Sequence, residues 1–352
     1  MKVMCAMSGG VDSSVAAAEL IAAGHEVVGV TMRLWGGASD TGCCSIADVD
    51  DARRVAQQLG IDHLVFNFTE EFDTAVVQPY VDAHANGTTP NPCIECNRHL
   101  KFARLSERAD LLGFDAIATG HHARIVAHDG IRYVARGADA DKDQSYVVHM
   151  LPQRELARTL FPVGHLTKAE VRERAVLAGL RTATKPDSQD VCFITHSAGR
   201  ARFLGERIPF RPAQVIDRDG TALGGVASIE MVTVGQRRGI GLPGGGPKRY
   251  VLEVDSRRAV VVVGNETDLD DTHLVLTALT WTGSETSGES AEPAPDVLVQ
   301  CSAHGSPRLA TITANTVTWA TPQRRVAPGQ TVVLYDLSNT RVLGGGIVAS
   351  SR

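Results

Sequence analysis

Residues 8–14, Ser-Gly-Gly-Val-Asp-Ser-Ser, constrain the fold of this chain more than any other segment. They lie between an apolar run, Val3 to Met7, and a run with helical periodicity, Val15 to Gly24. Glycines let a backbone approach an anion closely, and the free N–H groups and dipole at a helix start favour negative charge. We therefore expect a strand, a phosphate-binding turn and a helix, and we call residues 8–14 the glycine loop.

The glycine loop differs from two common nucleotide-binding motifs. No lysine follows Gly10, as G-x-x-x-x-G-K-[ST] requires, and the third glycine of G-x-G-x-x-G is missing. These differences weaken a kinase, GTPase or dehydrogenase interpretation, and the simplest alternative is an ordinary glycine-rich turn. Asp12 is either a helix-start carboxylate or a magnesium ligand, since hard cations take oxygen ligands.

The first 200 residues alternate strand-like and helical runs. This alternation predicts an α/β fold with a doubly wound parallel sheet. Ligands of such sheets bind beyond the carboxyl ends of the strands, so the glycine loop should lie beside the residues after Met32 and Thr119, including Gly120-His121-His122. The runs are Val27 to Met32, Ala47 to Leu59, His63 to Phe68, Arg98 to Leu112 and Asp115 to Thr119.

From about Phe210 the pattern changes to short β-branched runs separated by glycine. Regular short runs predict small β domains, with a β-barrel at the C-terminus. We predict three domains, namely an α/β domain over 1–204, a central β-rich domain over 205–267 and the barrel over 268–352. Thr282 to Pro295 is expected to be a mobile loop. The expected strands are Ala213 to Ile216, Met231 to Val234, Tyr250 to Val254, Val260 to Val263, Leu274 to Leu279, Val297 to Cys301, Ala310 to Ala314 and Thr331 to Tyr335.

The charge balance excludes a strong overall attraction to nucleic acid. The 352 residues include 35 lysines and arginines against 40 acids, a net charge of −5, so nucleic-acid contacts would need a local patch. Residues 200–258 carry eleven basic and six acidic side chains. They form either such a patch or a solvated surface. With no secretory signal and no apolar run of about 18 residues, we expect a cytoplasmic protein without a membrane segment.

The chain has seven cysteines and lacks an export signal, which favours free thiols over a framework of disulfide bonds. Cys93 and Cys96 come just before the helical run that starts at Arg98, and a helix N-terminus activates a nearby thiol. Cys96, with Arg98 and Lys101 close by, is the better placed nucleophile. The residues alone allow a redox pair, part of a metal or iron–sulfur site with Cys192, or ordinary cysteines.

The other cysteines carry weaker signals. Beside Phe193, a buried structural cysteine is the default interpretation of Cys192. Cys43 and Cys44 precede a predicted helix and are interpreted as loop residues.

Taken together, the glycine loop, Cys96 and Cys192 resemble the tRNA-specific 2-thiouridylase family of the PP-loop ATP pyrophosphatase superfamily. The resemblance covers essentially the full chain, and the matching strings occur in the order found in the family. Further matches are Asn91-Pro92 with Cys96-Asn97, Lys101-Phe102, Ala118 to His121, Lys142 to Tyr146, Phe161 to Gly164, Asp187-Ser188, Cys192-Phe193, Gly235 to Arg237 and Pro328 to Gln330.

The resemblance implies thiolation of C2 of the wobble uridine in tRNAs for lysine, glutamate and glutamine, with consumption of ATP and a need for Mg²⁺. It implies that Cys96 is the nucleophile, that Cys192 carries the sulfur as a persulfide from a cysteine desulfurase or sulfur-relay protein, and that the two form a transient disulfide. The implied ATP-binding residues are Ala6, Met7, Ser8, Gly9, Gly10, Val11, Asp12, Ser13, Met32 and Gly120. The implied tRNA-binding residues are Asn91, Pro92, Cys93, His121, Lys142, Asp143, Gln144, Gln330 and, by position only, Ala303 and His304.

One position departs from the family. Some members have an aspartate where Cys93 stands, and that carboxylate is assigned proton transfer. Cys93 then acts as the acid or base, is simply tolerated, or joins Cys96 and Cys192 in holding a [4Fe-4S] cluster, as in related tRNA thiolases.

Two other functions fit parts of the sequence. A PP-loop ligase that adenylates a small molecule would leave the Lys142 and Cys192 strings unexplained. A non-catalytic RNA-binding protein with a metal-clipped cysteine site would not release pyrophosphate from ATP.

Overall fold

A computed structural model describes residues 1–36, 45–187, 191–194, 199–243, 246–282 and 296–349. The loop expected from Thr282 to Pro295 lies outside these ranges apart from its first residue, and Cys43 and Cys44 lie outside them too. Among the helices within these ranges, none is both long and apolar enough to cross a membrane.

The N-terminal part is built on a five-stranded parallel sheet in the order β3-β2-β1-β4-β7. The strand order changes direction at β1. The next strands along the chain, β2 and β3, lie on one side of β1, and β4 lies on its other side. Ligand crevices form at such a switch point, so the carboxyl ends of β1 and β4 mark the site. The predicted doubly wound α/β fold is confirmed. The strands, with the hairpin β5-β6, are β1 Lys2–Ala6, β2 Glu26–Arg33, β3 His63–Asn67, β4 Ala116–Thr119, β5 Ala123–His128, β6 Ile131–Arg136 and β7 Thr159–Leu160.

Both faces of the central strands β1 and β4 are buried, as near-continuous apolar strands predict. Alternate residues of β1 enter different cores, with Met4 in one apolar cluster and Val3 and Cys5 in another. The helices of this part are Val11–Ala22, Ile46–Leu59, Thr69–Phe72 continued by Asp73–Val77 and Gln78–Ala85, Pro92–Glu95 continued by Cys96–Arg104 and Leu105–Leu111, Gln153–Leu156, Lys168–Leu177 and Gly199–Gly205.

The helix expected over Arg98 to Leu112 begins earlier, at Pro92, and its middle segment is π-helical. Pro92 suits a first helical position because it has no N–H to satisfy there, and the Asn91 side chain accepts from the Cys93 N–H at 3.1 Å. The expectation that both cysteines precede the helix is therefore wrong. Cys93 lies in the first turn and Cys96 in the second.

The remaining chain forms two β units, as expected. A four-stranded sheet has the order β10-β11-β8-β9, and six strands close into a barrel in the order β12-β15-β14-β13-β16-β17. The strands are β8 Ala213–Ile216, β9 Ala222–Val226, β10 Tyr250–Asp255, β11 Val260–Gly264, β12 Asp270–Trp281, β13 Asp296–Gln300, β14 Arg308–Thr313, β15 Thr316–Arg324, β16 Thr331–Tyr335 and β17 Val342–Val348.

The strand expected over Met231 to Val234 is wrong. Ile229–Met231 is a short 3₁₀ helix, and the Val232 N–H donates to the Ile229 carbonyl at 3.0 Å. Ile229 and Val232 are both buried, and their spacing of three suits a turn, whereas a strand would bury every second residue.

The barrel packs directly on the α/β part. The Tyr146 hydroxyl donates to the Thr331 carbonyl at 2.8 Å, and the hydroxyls of Ser145 and Tyr335 lie 2.9 Å apart. The Arg136 guanidinium stacks 3.6 Å from the centre of the Tyr335 ring. The barrel is therefore a fixed wall beside the segment that carries the predicted tRNA-binding residues 142–144.

Candidate active site

The glycine loop leaves the end of β1 and turns into the helix Val11–Ala22. Gly9 has a φ of 77°, and a Cβ there would lie 2.2 Å from the Asp48 carbonyl oxygen, so only glycine fits. The Ser8 N–H donates to Ser13 Oγ at 3.1 Å, and the Ser13 hydroxyl donates to the Gly10 carbonyl at 3.1 Å. Gly10 supplies no side-chain cap, so the helix start keeps N–H donors for an anion.

The end of β4 lies against the glycine loop. A Cβ on Gly120 would come within 2.6 Å of the Ser13 nitrogen and 2.7 Å of the Asp12 carbonyl carbon. The structure therefore brings Gly120 to the loop, where the strand order placed it. His121 is buried with Nδ1 2.7 Å from Thr119 Oγ1, and burial lowers the pKa of its ring well below the usual value.

Two further residues of the predicted nucleotide set lie at strand ends. Ala6 is the last residue of β1 and Met32 lies near the end of β2, and both side chains are buried in the same apolar cluster.

Asp12 is held by two basic side chains. Its Oδ1 lies 3.0 Å from His122 Nε2, and Lys168 Nζ donates to Oδ1 at 2.7 Å and to Oδ2 at 2.8 Å. Burial would raise the pKa of Asp12, but the hydrogen bonds from His122 and Lys168 outweigh it and hold the pKa below its ordinary value. The sequence analysis missed Lys168, because no local pattern links residues 156 positions apart.

Lys168 also contacts a second carboxylate, Asp187, at 2.8 Å. Asp187 accepts from Lys142 at 2.9 Å and from Arg172 at 2.8 Å. Burial opposes ionisation of Asp187, but the hydrogen bonds from Lys168 and Lys142 prevail and lower its pKa to about 2. This cluster joins Lys142, a predicted tRNA-binding residue, to the glycine loop.

Lys185 also contacts the glycine loop, and the sequence patterns did not predict this contact. Its ammonium donates to the Gly9 carbonyl at 2.9 Å and to Asp51 at 2.7 Å, and it contacts Asp48 as well. Residue 185 is therefore tied to the glycine loop directly, and residue 187 is tied to it through Lys168.

Cys96 and Cys192 share one apolar cluster, in which Cys96 is buried and Cys192 half-buried. Phe193 fixes this position, because its ring lies 5.2 to 5.6 Å from those of Phe203, Phe72 and Tyr80. Both predicted catalytic thiols therefore pack against this one apolar cluster.

Cys93 is exposed, yet the protein around its thiol raises the pKa of that thiol. Desolvation is the main cause; Lys101 opposes it and Cys192 adds to it. Cys93 is therefore a protonated thiol at neutral pH, and Cys192 and Lys101 lie within electrostatic range of it. The sequence analysis invoked the helix dipole for Cys96. Because the helix begins at Pro92, the dipole acts on Cys93 instead, since its stabilisation of a charge fades beyond the first turn.

The [4Fe-4S] alternative for Cys93, Cys96 and Cys192 stays a hypothesis. Within the described residues, which include Cys93, Cys96 and Cys192, no group of three or more His, Cys, Asp or Glu side chains is arranged to hold a metal ion.

Several predicted tRNA-binding residues make internal contacts. Asp143 accepts from Arg136 at 2.7 Å and from the Gly137 N–H at 2.8 Å, and Gln144 accepts from the His122 N–H at 2.8 Å. These two side chains hold the 137–145 segment in place, whereas Lys142 remains 43% exposed.

The barrel supplies the others. Gln330 donates to the Thr89 carbonyl, and the Thr89 N–H donates to the Pro328 carbonyl at 3.0 Å. The loop that carries Gln330 therefore lies on the segment that leads to Asn91 and Pro92. Ala303 packs against the cluster that contains Cys96, and His304 is exposed.

The basic stretch 200–258 is in part an ion-paired surface. Its arginines are distributed over different elements, and several pair with acids. The pairs are Arg202 with Glu206, Arg211 with Glu230 and Arg218 with Asp268. Arg237 and Arg238 are exposed.

Three family models match successive parts of the chain. They are a tRNA methyl transferase HUP domain over residues 1–196, a tRNA methyl transferase PRC-barrel domain over 201–265 and an aminomethyltransferase beta-barrel domain over 271–348.

Full-length relatives carry a more specific name, tRNA-specific 2-thiouridylase MnmA. The protein of Mycobacteroides abscessus is 45% identical over 362 residues, covering 99% of each chain. That of Chloroflexus aggregans is 44% identical over 359 residues, covering 99% of this chain and 98% of its own. That of Mycobacterium tuberculosis strain H37Rv is 45% identical over 365 residues, covering 100% of this chain and 97% of its own.

Proposed function

This chain belongs to the tRNA-specific 2-thiouridylase family, and from that premise we propose how its residues divide the reaction. The protein is a tRNA-uridine 2-sulfurtransferase that forms 2-thiouridine in tRNA with consumption of ATP. One observation supports the assignment of residues best. The glycine loop, suited to phosphates, is tied to residues 185 and 187 by the contacts of Lys185 and Lys168, and Cys96 and Cys192 pack against one apolar cluster.

The glycine loop supplies the leaving-group half of the reaction. A uridine carbonyl oxygen is a poor leaving group, so the C2 oxygen first attacks the α-phosphate of ATP, and pyrophosphate departs. The oxygen then leaves as part of AMP. We assign the binding of ATP to Ala6 through Ser13, Met32 and Gly120, with the loop N–H groups on the phosphates.

Magnesium fits the loop if the nucleotide supplies most of its ligands. Bound Mg²⁺ neutralises charge on the phosphates, and it is usually held by one or two carboxylates together with phosphate oxygens. Asp12 is the carboxylate that would hold it, because Asp12 is ionised and lies at the start of the loop helix.

The two thiols supply the incoming sulfur. We propose that Cys192 carries it as a persulfide, delivered by a cysteine desulfurase or sulfur-relay protein. Either the outer sulfur attacks C2 and Cys96 then attacks Cys192 Sγ, or Cys96 attacks Cys192 Sγ first and frees hydrosulfide, which attacks C2. In both routes AMP leaves, and a Cys96–Cys192 disulfide remains for reduction by an external thiol.

Residues around Asn91 would receive the target base. Asn91, Pro92 and Cys93 are assigned to the wobble uridine, extruded from its stack, and protonated Cys93 can donate a proton to it. The barrel wall adds Gln330, Ala303 and His304, and the α/β part adds His121, Lys142, Asp143 and Gln144. Exposed bases of a single-stranded anticodon loop suit a protein of modest charge.

Three finer assignments complete the proposal. The substrates are the tRNAs for lysine, glutamate and glutamine. The site of action is the cytoplasm, where such tRNAs occur. The domains divide at 204 and 267, with the central domain contributing to tRNA binding.

Cysteine substitutions test this division of labour. Cys96→Ser and Cys192→Ser should each abolish 2-thiouridine formation in vitro while leaving ATP-analogue binding unchanged, because neither thiol belongs to the glycine loop. Nucleoside mass spectrometry of the product tRNA and calorimetric titration provide the two measurements. Cys301→Ser is the matched control, since this half-buried barrel thiol has its pKa raised to about 12 by burial and lies outside the proposed site. Thiolation by either catalytic variant would contradict the roles assigned here.

A further inference from the structure

Arg136, the last residue of β6, joins the barrel to the 137–145 segment. Its Nη1 donates to Asp143 Oδ2 at 2.7 Å, and its Nη2 donates to Asn339 Oδ1 at 2.9 Å. Between these two acceptors, the guanidinium lies 3.6 Å from the centre of the Tyr335 ring. A single side chain therefore contacts the predicted tRNA-binding segment and the barrel at the same time.

The Asp143 carboxylate is directed into the protein. Besides Arg136, it accepts from the Gly137 N–H at 2.8 Å and from the Ser145 hydroxyl at 2.7 Å. The Ser145 hydroxyl in turn lies 2.9 Å from the hydroxyl of Tyr335. The side chains of Arg136 and Asp143 are only 16% and 6% exposed. Asp143 therefore closes the 137–145 segment from inside, and its negative charge would repel an RNA phosphate.

Lys142 is the basic side chain that this segment places near solvent. It is 43% exposed, and its ammonium donates to Asp187 at 2.9 Å. An ammonium has three donors, so Lys142 can keep Asp187 and still donate to a phosphate oxygen. Contacts between basic side chains and phosphates supply much of the affinity of proteins for nucleic acids. The place of Lys142 depends on its neighbour Asp143, which fixes the segment near both ends, at 137 and 145.

We propose that Arg136 is a positioning residue for tRNA binding, which fixes the 137–145 segment against the barrel so that Lys142 meets a phosphate of the tRNA. Asp143 then contributes to tRNA binding by holding this segment, and its carboxylate does not contact the RNA. Lysine cannot replace Arg136, because an ammonium lacks the planar fork that reaches two acceptors while stacking on a ring. This inference rests on the proposed function, since it assumes that tRNA binds at this segment.

The test measures the affinity of the full chain for fluorescein-labelled, unmodified lysine tRNA by fluorescence anisotropy at several salt concentrations. Lys142→Met should weaken binding about tenfold, because one charge-assisted contact is lost. It should also lower the slope of log affinity against log salt concentration by about one. Arg136→Lys keeps the charge but should weaken binding about fivefold, within the range found for coupled neighbours. Arg136→Lys should bind an ATP analogue as the wild type does, which shows that it is folded.

The double variant separates positioning from direct contact. If Arg136 acts by placing Lys142, then Arg136→Lys should add less than about twofold to the loss caused by Lys142→Met. Independent contacts would instead multiply to a loss of about fiftyfold. Asp143→Asn should likewise add less than about twofold to the loss caused by Arg136→Lys, because both variants release the same segment.

Arg132→Met is the matched control. Arg132 lies four residues earlier on β6 and is exposed, and the guanidinium paired with Asp143 is that of Arg136. This control should bind tRNA as the wild type does, which shows that loss of a positive charge from the strand is not enough.

Four results would overturn the inference in a wild-type protein that binds tRNA. They are wild-type affinity in Lys142→Met or in Arg136→Lys, multiplied losses in either double variant, and the same loss in Arg132→Met as in Lys142→Met. Failure of the wild-type protein to bind tRNA would instead refute the proposed function, and this inference with it.

Discussion

Replacing Gly120 with alanine tests the contact between β4 and the glycine loop. The added methyl group would lie 2.6 Å from the Ser13 nitrogen, whereas ordinary contact begins at 3.4 Å. The atoms it meets, at Asp12 and Ser13, are backbone, so no side chain can rotate away. Overpacking of this kind lowers the free energy of unfolding by about 1–3 kcal/mol. Because the displaced atoms belong to the loop helix, we expect about tenfold weaker binding of Mg-ATP analogue as well.

The assay combines urea unfolding with calorimetric titration of the analogue. Gly246→Ala serves as the control, since a methyl group there meets no atom of the described residues within 4 Å. The control should match the wild type in both measurements. If Gly120→Ala also unfolds at the wild-type urea concentration and binds nucleotide with wild-type affinity, the argument that this glycine sets the approach of β4 to the loop is refuted.

Three further predictions concern charge, domain contact and metal content. The pKa of Asp187 is about 2, below its ordinary 3.8, so its contribution to stability is complete above pH 3.8 and lost as the pH falls towards 2. Asp187→Asn should lower the free energy of unfolding by about 1–2 kcal/mol at pH 7, measured by urea unfolding. Between pH 3.8 and 2 this variant should lose less stability than the wild type does. An unchanged dependence of stability on pH would contradict this. Tyr146→Phe removes the hydroxyl that donates to the Thr331 carbonyl, and it should lower the free energy of unfolding by about 1 kcal/mol, which is measured as a lower Tm. An unchanged Tm would show that this hydrogen bond does not hold the barrel on the α/β part. Anaerobically purified protein should contain only trace iron by metal analysis, as should Cys93→Asp, because the proposed persulfide route needs no cluster. Stoichiometric iron, with visible absorbance that is lost in Cys93→Asp, would favour the [4Fe-4S] alternative.

Local patterns predicted the sheet and its ligand edge. The apolar run Val27 to Met32 predicted both ends of strand β2 to within one residue. A strand buried on both faces needs continuous apolar side chains, which makes such a strand visible in the sequence. The approach of Gly120 to the loop was expected because ligands of doubly wound sheets bind beyond the carboxyl ends of the strands.

One barrel strand, β17, is rich in glycine. The strand β17, with three consecutive glycines, was not anticipated, because glycine usually weakens strands. Here the small residues allow close approach: a Cβ on Gly345 would lie 2.6 Å from the His149 ring, and one on Gly344 would lie 2.4 Å from the Thr280 carbonyl oxygen.

The ion pairs around Asp12 could not be predicted from the sequence. Lys168 and Asp187 lie far from Asp12 along the chain, and no periodicity connects them. Only the folded chain brings the start of one helix to the start of another. The two thiols were assigned by resemblance, and they pack against an apolar cluster that includes Phe193. The ring partners of Phe193 include Phe72 and Tyr80, on one continuous helical stretch, and Phe203 on a separate helix.

The central claim is that this protein installs sulfur at C2 of the tRNA wobble uridine. Nucleoside mass spectrometry of tRNA for lysine, glutamate and glutamine from cells lacking this protein tests it most directly. The account predicts that 2-thiouridine derivatives disappear from that position and return when the wild-type chain, but not Cys96→Ser, is supplied. Undiminished 2-thiouridine in these tRNAs, in cells without a second uridine thiolase, would contradict it.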